Sequence, residues 1–529
     1  MSYGEIGKMK KNRLIPIIFF SLCFLFSSCS SEKLSASSKQ ITDSSVADKN
    51  IESDASATAD SDYDFSASAE ESRTVSSGSS SQKIIANSSG KTSVQASTSS
   101  AAKNDSSAPA VTEKPNTDSR NFDFDGPISE EVLNNYLSKA VTHNGLVTSA
   151  GYGTVPPGKN ADFDEDFRML KNIGAMFYGR AAHVWGAPDD EEQHFQDAKQ
   201  GADKVHAYNS KIILQACVFE AIYESHVDSV PIPNWVFEAF GLPVQKRNFR
   251  YADMLFSDGR YVNHWGTGCS VPDLSKTEAQ MWMFYRCARY IDAGYEAIHL
   301  GQIMLMSSAD TNLNGAVKTV KAIRKYASTH ARRHWVLLDA HTHGLTYRED
   351  GQTKLLLDFH SYPIRPKDLG QTTKSDGYQP VTLEVGYIDS IFGHSAGGIH
   401  PAGWKTDSSP FLVEFDNSGY EADDRDYPKG TYHPWGYDEI TWFARQPAAR
   451  RSAVIREFYR WINDRYPNGH LQFPTRVPLA YGFQLEYKVG NESVMFDNIY
   501  YFKANRQSQD SVEGFGLEDT LKALWKNPR

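Results

Sequence analysis

The stretch DAGYEAIHLGQ, residues 292–302, contains the end of one predicted helix and most of one predicted strand. Apolar residues spaced i, i+3, i+4 predict a helix over Thr277–Ala293, and a short apolar run follows at Ala297–Ile303. A short apolar run that directly follows an amphipathic helix is typical of a β/α unit, in which helices cover the strand. The fold class can be predicted by asking whether this helix-and-strand unit recurs elsewhere in the chain.

The same alternation recurs along the chain from Gly126 onward. Eight short apolar runs predict strands, and the helical patterns between them are typical of the crossovers that join parallel strands. The predicted helices are Glu191–Tyr208, Thr277–Ala293, Gly315–Ala331 and Tyr437–Tyr466. The predicted strands are Leu146–Ala150, Ala175–Gly179, Ile212–Phe219, Ala297–Ile303, Trp335–Asp339, Leu355–Phe359, Val381–Val385 and Phe411–Phe415.

Eight strands with interleaved helices predict an α/β fold of the (β/α)₈ type, a TIM-like barrel over residues 126–470. Units 5–7 are expected to be irregular, because the segment between the fifth and sixth strands has room only for a turn around residues 349–351 and no clear helix follows the sixth or seventh strand. Two more apolar runs, Leu485–Val489 and Met495–Phe502, predict a small β-rich appendage within residues 471–529. A doubly wound open sheet is the alternative fold, although no glycine-rich phosphate loop supports it.

Residues 1–28 have the pattern of a secretory signal peptide. Four basic residues between positions 8 and 13 precede the apolar run Leu14–Phe26. The run is too short to span about 30 Å of hydrocarbon as a helix, so it predicts a cleaved leader. The small residues directly before Cys29 resemble a bacterial lipobox, which implies that Cys29 is the lipidated first residue of the mature chain. We therefore expect an extracytoplasmic protein that is lipid-anchored to a bacterial membrane.

Residues 29–125 have the composition of a disordered tether. Residues 30–120 contain 27 serines and only 10 Leu, Ile, Val or Phe residues, too few to form a packed core. The whole chain carries a formal net charge of −10, which would repel the phosphate backbone of a nucleic acid. We expect no nucleic-acid partner, and a contact with the membrane only through the lipid anchor.

The stretch at residues 292–302 resembles a strand found in several glycoside-hydrolase families of the TIM-barrel superfamily. In that strand, glycine, an aromatic residue, an acid, glycine, isoleucine, histidine, leucine and aspartate follow one another. The closing aspartate is catalytic in those families, and Gln302 occupies its place here. The resemblance implies the barrel at the level of the fold.

Polar residues gather at the predicted strand ends, which face the mouth of a barrel. Glycoside hydrolysis needs a proton donor and a second carboxylate that flank the anomeric carbon, roughly 5–5.5 Å apart in retaining enzymes and 6.5–9.5 Å apart in inverting enzymes. Glu414 and Glu220 are long carboxylates at the ends of apolar strands, an environment that raises a pKa. They are the predicted catalytic pair, with Asp339, Glu384 and Asp416 as further candidates.

The candidates for substrate binding are polar residues at the strand ends and tryptophans beside Gly or Pro, where exposed rings could stack on the faces of sugars. They are His341, His360, Gln302, Trp185, Trp265, Trp404 and Trp435. The leading hypothesis is an envelope-anchored glycoside hydrolase-like protein that acts on an oligo- or polysaccharide, with no cofactor and no resident metal.

Two other functions remain open. His341 and His343 in LLDAHTHG, residues 337–344, share one face of a strand and could both bind a divalent metal. This motif resembles the metal-binding strand of the amidohydrolase barrels and implies a metal-dependent hydrolase. The other alternative is a non-catalytic glycan-binding lipoprotein, which Gln302 in the place of a catalytic aspartate favours.

Overall fold

The structure is a computed structural model, and it describes residues 119–146, 163–188, 190–342, 344–364, 366–368, 381–383, 395–415, 439–489, 492–509 and 511–526. All of these residues belong to one compact unit. The predicted signal peptide, the lipidation site Cys29, the tether up to residue 118, and the candidates His343, Glu384, Asp416 and Trp435 lie outside the described residues.

Helices are interspersed with strands up to Asp339, as the sequence pattern predicts, and the described elements between Thr346 and Glu414 are all strands. The helices are α1 (Glu130–Leu137), α2 (Phe163–Ile173), α3 (Glu191–Tyr208), α4 (Glu224–Val227), α5 (Asn234–Ala239), α6 (Thr277–Asp292), α7 (Ile303–Met306), α8 (Asn314–His330), α9 (Glu439–Arg445), α10 (Ala448–Asn463) and α11 (Glu518–Lys526), with short 3₁₀ turns at Tyr251–Met254 and Thr311–Leu313. The strands are β1 (Ala140–His143), β2 (Phe177–Ala182), β3 (Ile213–Cys217), β4 (Ile222–Tyr223), β5 (Cys269–Ser270), β6 (Ala297–His299), β7 (Leu337–Asp339), β8 (Thr346–Glu349), β9 (Gln352–Leu355), β10 (His360–Pro363), β11 (Pro366–Asp368), β12 (Val381–Leu383), β13 (Gly398–Ile399), β14 (Lys405–Thr406), β15 (Phe411–Glu414), β16 (Gly469–Leu471), β17 (Phe473–Val489) and β18 (Glu492–Lys503). In the ranges that the structure describes, no helix combines the length and the apolar content needed to traverse a lipid bilayer.

The long helices lie where the sequence predicts them. α3 has the predicted range, and Asp190 caps its start by accepting a hydrogen bond from the backbone N–H of Gln193 at 3.0 Å. α6 and α8 differ from their predicted ranges by one residue at their ends. The segment predicted as one helix over Tyr437–Tyr466 contains two, α9 and α10, which are separated at Pro447 because proline lacks the N–H that would continue the helix.

Seven strands form the largest sheet, in the order β18-β17-β1-β2-β3-β6-β7. Neighbouring strands in it are parallel, except for the antiparallel pair of β17 and β18. Parallel neighbours need long crossovers, and the helices between the strands supply them. β2, β3, β6 and β7 are buried at every residue, so both faces of these strands are covered, which explains why several strands read as continuous apolar runs.

A second parallel sheet has the order β10-β15-β16, and it meets the first sheet at two places. On one side, the backbone N–H of Ser361 donates to the carbonyl of Ala340 at 3.1 Å, beside an isolated parallel bridge between His341 and Ser361. On the other side, β16 and β17 are separated only by Gln472, whose N–H donates to the carbonyl of Val413 at 2.8 Å. The continuous segment β16–β17 therefore neighbours β15 at its start and β1 further along.

Residues 147–150 of the predicted strand Leu146–Ala150 lie outside the described residues, and the first described strand, β1, precedes them. β10 lies after the predicted Leu355–Phe359. Both observed strands contain buried polar residues that interrupt the apolar pattern: His143, whose Nδ1 bonds to Thr475, and Ser361, whose hydroxyl donates to Asp339. The predicted Val381–Val385 contributes β12 instead, which pairs with β11 in a separate two-stranded antiparallel sheet.

The C-terminal strands differ from the small separate appendage that the sequence predicts. β17 joins the largest sheet through a parallel pairing with β1, in which Val141 lies opposite Phe473. Proline and arginine at positions 474, 476 and 478 weaken the strand pattern there, so its start was not predicted as a strand. The division of the chain into domains at residue 470 stays a prediction.

The amino ends of the parallel strands are closed by apolar packing. Ala140, Phe177, Ile213, Ala297, Leu337 and Leu412 come from six different strands and form one buried cluster. α1 and the segment before it cover this cluster with side chains that include Phe122, Ile128 and Leu133. Polar groups of the inner face are therefore left to the opposite, carboxyl ends of the strands.

Candidate active site

Ionisable side chains collect at the carboxyl ends of the parallel strands. His299, Asp339 and Glu414 are the last residues of β6, β7 and β15, and Glu220 lies three residues after β3. Each of the four is at most 1% exposed. Buried ionisable groups are costly unless they are paired, so their partners indicate what the site can do.

Glu414 is paired with two basic side chains. Its Oε1 accepts hydrogen bonds from Nη2 of Arg180 and from Nε2 of His341, each at 2.6 Å. Burial alone would raise the pKa of Glu414, but the positive charge of Arg180 and the hydrogen bond from His341 lower it to about 2. Glu414 is therefore a carboxylate at neutral pH.

Arg180 is held in an unusual backbone conformation. Its φ is 57°, and the pairing of β2 with β3 shifts register between Tyr178 and Ala182. The backbone N–H of Arg180 donates to Oε1 of Gln215 at 3.0 Å, and Nε2 of Gln215 donates to Oδ1 of Asp339 at 2.7 Å. A non-glycine residue in the left-handed region is strained, and these hydrogen bonds offset part of that strain.

Both carboxyl oxygens of Glu220 accept hydrogen bonds from Gln302. The backbone N–H of Gln302 donates to Oε2 at 2.8 Å, and its side-chain Nε2 donates to Oε1 at 3.2 Å. Gly301 has a φ of 53°, and a Cβ at this position would lie 2.0 Å from Oε2 of Glu220, so the site requires glycine. Burial raises the pKa of Glu220, and the N–H of Gln302 opposes this only in part. Glu220 therefore keeps its proton to a higher pH than an exposed glutamate.

Two histidines connect Glu220 with Glu414. The rings of His299 and His341 are in edge contact, with centroids 4.7 Å apart. His299 and His341 both interact electrostatically with each glutamate, so both rings lie within electrostatic range of both carboxyl groups. The structure thus brings the predicted pair into one cluster, where the pKa of one carboxyl is raised and that of the other is lowered.

Asp339 accepts hydrogen bonds from side chains of three other strands, β3, β6 and β10. Its Oδ1 accepts from Gln215, and its Oδ2 accepts from Oγ of Ser361 at 2.6 Å and from Nδ1 of His299 at 2.8 Å. The carboxyl group is fully buried. Asp339 therefore orients the side chains around it, and it was predicted as a reserve catalytic carboxylate.

Four side chains of this cluster were not predicted as site residues: Arg180, Gln215, His299 and Ser361. The alternation of side chains along a strand could have indicated His299. Ala297, two residues earlier, packs in the buried apolar cluster, and residues i and i+2 of a strand lie on the same face. Arg180 and Gln215 offered no comparable signal, since the irregular pairing of β2 with β3 leaves no mark in the residue pattern.

Partly exposed aromatic rings adjoin the cluster. The centroid of Phe219 is 6.0 Å from that of His299 and 5.1 Å from that of Trp185, which is in turn 5.1 Å from that of Trp265. Nε1 of Trp265 donates to the backbone carbonyl of Glu220 at 3.3 Å. Phe219, Trp185 and Trp265 form the aromatic shelf, an apolar surface beside the carboxyl groups on which a sugar ring could stack.

The structure does not bring Trp404 or His360 to this cluster. Nε1 of Trp404 donates to the carbonyl of Ile128, and the side chain packs on the apolar cluster at the amino ends. His360 is adjacent to Ser361, whose hydroxyl faces Asp339, so the alternation of a strand places the buried His360 on the other face of β10.

His341 is the described member of the predicted metal-binding pair. Its Nε2 bonds to Glu414, and a contact of 3.2 Å joins the same nitrogen to Nη2 of Arg180. In the part of the chain that the structure describes, no group of three or more His, Cys, Asp or Glu side chains is arranged to hold a metal ion.

Comparisons with known proteins give only a distant similarity. No family model and no curated protein matches the chain. The debranching enzyme from Nostoc punctiforme is similar at 10% identity and a TM-score of 0.23, over 42% of this chain and 50% of that one. Its native form matches at 10% identity and 0.22 over the same shares, and an acarbose-soaked crystal at 11% identity and 0.23, over 42% of this chain and 51% of that one. The chain spans about half the length of that enzyme, and a similarity at these TM-scores carries no argument about activity.

Proposed function

We propose that the protein is a glycoside hydrolase-like enzyme that acts on an oligo- or polysaccharide. The observation that carries the proposal is a pair of buried carboxyl groups at the carboxyl ends of the strands, with Glu414 bonded to Arg180 and His341 and Glu220 bonded to the uncharged Gln302. These different partners lower the pKa of Glu414 and leave that of Glu220 raised by burial. A carboxylic acid and a carboxylate in one cluster are the two groups that glycoside cleavage needs.

Glu220 is the proton donor of the proposed reaction. Its proton moves to the glycosidic oxygen as the bond from that oxygen to the anomeric carbon breaks. The carboxylate that remains keeps both hydrogen bonds from Gln302, which stabilise its negative charge.

Glu414 is the second carboxylate. It either bonds to the anomeric carbon or takes a proton from a water molecule that attacks this carbon, and the two routes give retention and inversion respectively. Arg180 and His341 keep Glu414 ionised before the sugar arrives. The hydrogen bonds to its Oε1 leave Oε2 as the oxygen with which it would react.

The proposed substrate is a neutral glycan. The aromatic shelf supplies stacking surface for the apolar face of a sugar ring. The guanidinium of Arg180 is matched by Glu414, and the chain as a whole carries a charge of −10. The net negative charge of the chain would repel carboxylated or sulfated sugars, and the positive charge of Arg180 is already paired with Glu414.

We also propose that the two parallel sheets form one closed (β/α)₈ barrel. Two junctions support closure: the hydrogen bond from Ser361 to Ala340 and the hydrogen bond from Gln472 to Val413. The first junction links the edge strands β7 and β10, and the second lies where the continuous segment β16–β17 passes from β15 to β1. The strand order would then run β1-β2-β3-β6-β7-β10-β15 and return to β1 through β16–β17. In such a barrel the carboxyl ends of the strands are where substrates bind.

The proposed location is the outer face of a bacterial membrane. The basic residues before Leu14–Phe26 and the small residues before Cys29 support a lipoprotein leader. In cells fed labelled palmitate, the wild type should carry label and partition into detergent, and Cys29→Ala should do neither. Equal labelling of the two proteins would contradict the anchor.

The activity is tested with neutral oligosaccharides and chromogenic glycosides. Glu414→Gln and Glu220→Gln should each lower kcat by about 10²–10⁴-fold, the usual contribution of such a group. Glu296→Gln is the matched control, because Glu296 is equally buried and paired with arginines but precedes β6 at the amino ends of the strands. Wild-type turnover by Glu414→Gln would contradict the proposal, and saccharide binding by the wild type without any product would indicate the non-catalytic alternative.

A further inference from the structure

His299 has one ring nitrogen that no protein group satisfies. Its side chain is 2% exposed. Nδ1 donates to Oδ2 of Asp339, whereas Nε2 has no hydrogen-bond partner within the described chain. A buried polar atom without a partner destabilises the fold, so its presence in the cluster that contains Glu220 and Glu414 indicates the place of a ligand atom.

The imidazole of His299 lies in the middle of the cluster. Its ring is in edge contact with His341 on one side and with Phe219 of the aromatic shelf on another. It lies within electrostatic range of both Glu220 and Glu414. A sugar unit that reaches both carboxyl groups therefore also reaches this ring.

The hydrogen bond to Asp339 decides what Nε2 can bind. A carboxylate oxygen only accepts, so Nδ1 carries the hydrogen, and in the neutral imidazole Nε2 then presents a lone pair. Ser361 and Gln215 also donate to Asp339 and hold it in place. The matching partner for Nε2 is a hydroxyl group.

We propose that Nε2 of His299 accepts a hydrogen bond from a hydroxyl group of the neutral sugar unit bound between Glu220 and Glu414. His299 is then a specificity-determining residue that selects sugars with a free hydroxyl at one position, because an analogue without it would leave a buried nitrogen unpaired. The identity of the ligand as a sugar rests on the proposed function.

His143, the last residue of β1, offers a matched control. It is 1% exposed, its Nδ1 bonds to Oγ1 of Thr475 at 3.0 Å, and its Nε2 also lacks a hydrogen-bond partner within the described chain. The nearest charged groups are different, however: Nε2 is 3.8 Å from Oδ2 of Asp166 in α2. His143 therefore reproduces the burial of His299 without its place beside the glutamates.

The test uses His299→Asn and His143→Asn. The amide nitrogen of asparagine occupies the position of Nδ1, so His299→Asn keeps a donor for Asp339 and removes only Nε2 and the outer part of the ring. The probes are p-nitrophenyl α- and β-glycosides of glucose, galactose, mannose and xylose, together with their monodeoxy analogues. Binding is measured by calorimetry and turnover by release of nitrophenol.

We expect that the wild type binds one deoxy analogue about tenfold more weakly than its parent sugar, which corresponds to about 1.4 kcal/mol. In His299→Asn the parent should lose a similar factor and the difference between parent and analogue should vanish. His143→Asn should keep that difference, and melting curves should show that both variants are folded. A deoxy penalty that persists in His299→Asn overturns the proposal, as does a wild type that binds none of these neutral glycosides.

A second measurement separates this inference from the proposed reaction. The ¹⁵N resonance of Nε2 of His299 is followed in Glu414→Gln while the best-bound probe is added to saturation. The resonance should move as the hydroxyl bonds to the lone pair, and a resonance that stays in place overturns the inference. Binding with the shift but without turnover by the wild type would refute the proposed reaction and leave the contact to His299 intact.

Discussion

Both ends of the parallel strands contain a buried glutamate that contacts arginine, and the two glutamates differ in their preferred charge. At the amino ends, Oε2 of Glu296 is 2.9 Å from Nη1 of Arg332, and Oε1 is 3.1 Å from Nε of Arg333. At the carboxyl ends, Glu414 contacts Arg180 at 2.6 Å. Burial raises the pKa of Glu296 to about 7, whereas Arg180 and His341 outweigh burial at Glu414 and lower its pKa to about 2.

The difference follows from how well each arginine is shielded from water. The side chain of Arg180 is 6% exposed, whereas those of Arg332 and Arg333 are 31% and 12% exposed. Water screens a partly exposed guanidinium, so the attraction per contact is weaker at the amino ends. The carboxyl ends therefore hold a buried negative charge, while the amino ends are stabilised mainly by apolar packing.

The largest expected effect comes from removing the shielded arginine. Arg180→Met leaves Glu414 buried without its guanidinium, which should lower the free energy of unfolding by about 3–5 kcal/mol. Arg332→Met, at the partly exposed pair, should lower it by about 1 kcal/mol or less. Denaturation in urea measures both values, and equal losses would contradict the account based on screening.

Truncation tests the apolar packing at the amino ends. A chain that starts at Ser119 should melt within a few degrees of the mature chain, because the residues it lacks belong to the predicted tether, residues 29–125. A chain that starts at Gly126 loses Phe122, which is 5% exposed and whose carbonyl accepts a hydrogen bond from Tyr136, and should be less stable by about 1.5–3 kcal/mol. If the chain that starts at Gly126 has the same melting temperature as the chain that starts at Ser119, Phe122 does not stabilise the packing at the amino ends of the strands.

Gly301→Ala tests the close approach of the backbone to Glu220. The φ of 53° adds strain of about 1–2 kcal/mol, and the new methyl group must displace the carboxyl group, so activity should be lost along with this stability. Gly351→Ala is the matched control, since Gly351 has a φ of 74° with no atom within 4 Å of its added Cβ. It should show the strain alone and keep the activity on chromogenic glycosides. If Gly301→Ala and Gly351→Ala were equally active, the carboxyl group of Glu220 would have room to move away from the added methyl group.

The smallest expected effect is a difference in pH dependence. The pKa of Glu414 is lowered from 4.5, so its stabilisation is present above about pH 4.5 and is lost as the pH falls towards 2. The pKa of Glu296 is raised, so its contribution is present below about pH 4.5 and is lost as the pH rises through 7.

Melting curves of the two glutamine variants measure this difference. The deficit of Glu414→Gln relative to the wild type should shrink on acidification, whereas Glu296→Gln should gain relative to the wild type between about pH 5 and pH 8. If the stability of the two variants relative to the wild type changed with pH in the same way, the two glutamates would not differ in their preferred charge.

The class of fold could be predicted because helix and strand periods are local properties. The spacing of apolar residues over Glu191–Tyr208 placed α3 correctly, since that face must be buried whatever its partner is. β1 was not predicted and β10 was misplaced, because both strands carry buried polar residues that bond to distant parts of the chain. The hydrogen-bond partners of these residues are distant in sequence, so a local residue pattern cannot identify them.

The sequence by itself determined that long carboxylates, Glu220 and Glu414, stand at the ends of apolar strands, because strand ends are visible in the order of residues. Only the tertiary structure decided their preferred charges. Arg180 reaches Glu414 across 234 positions of sequence, and Gln302 reaches Glu220 across 82. A pKa depends on burial and on distances in space, and the order of residues along the chain contains neither.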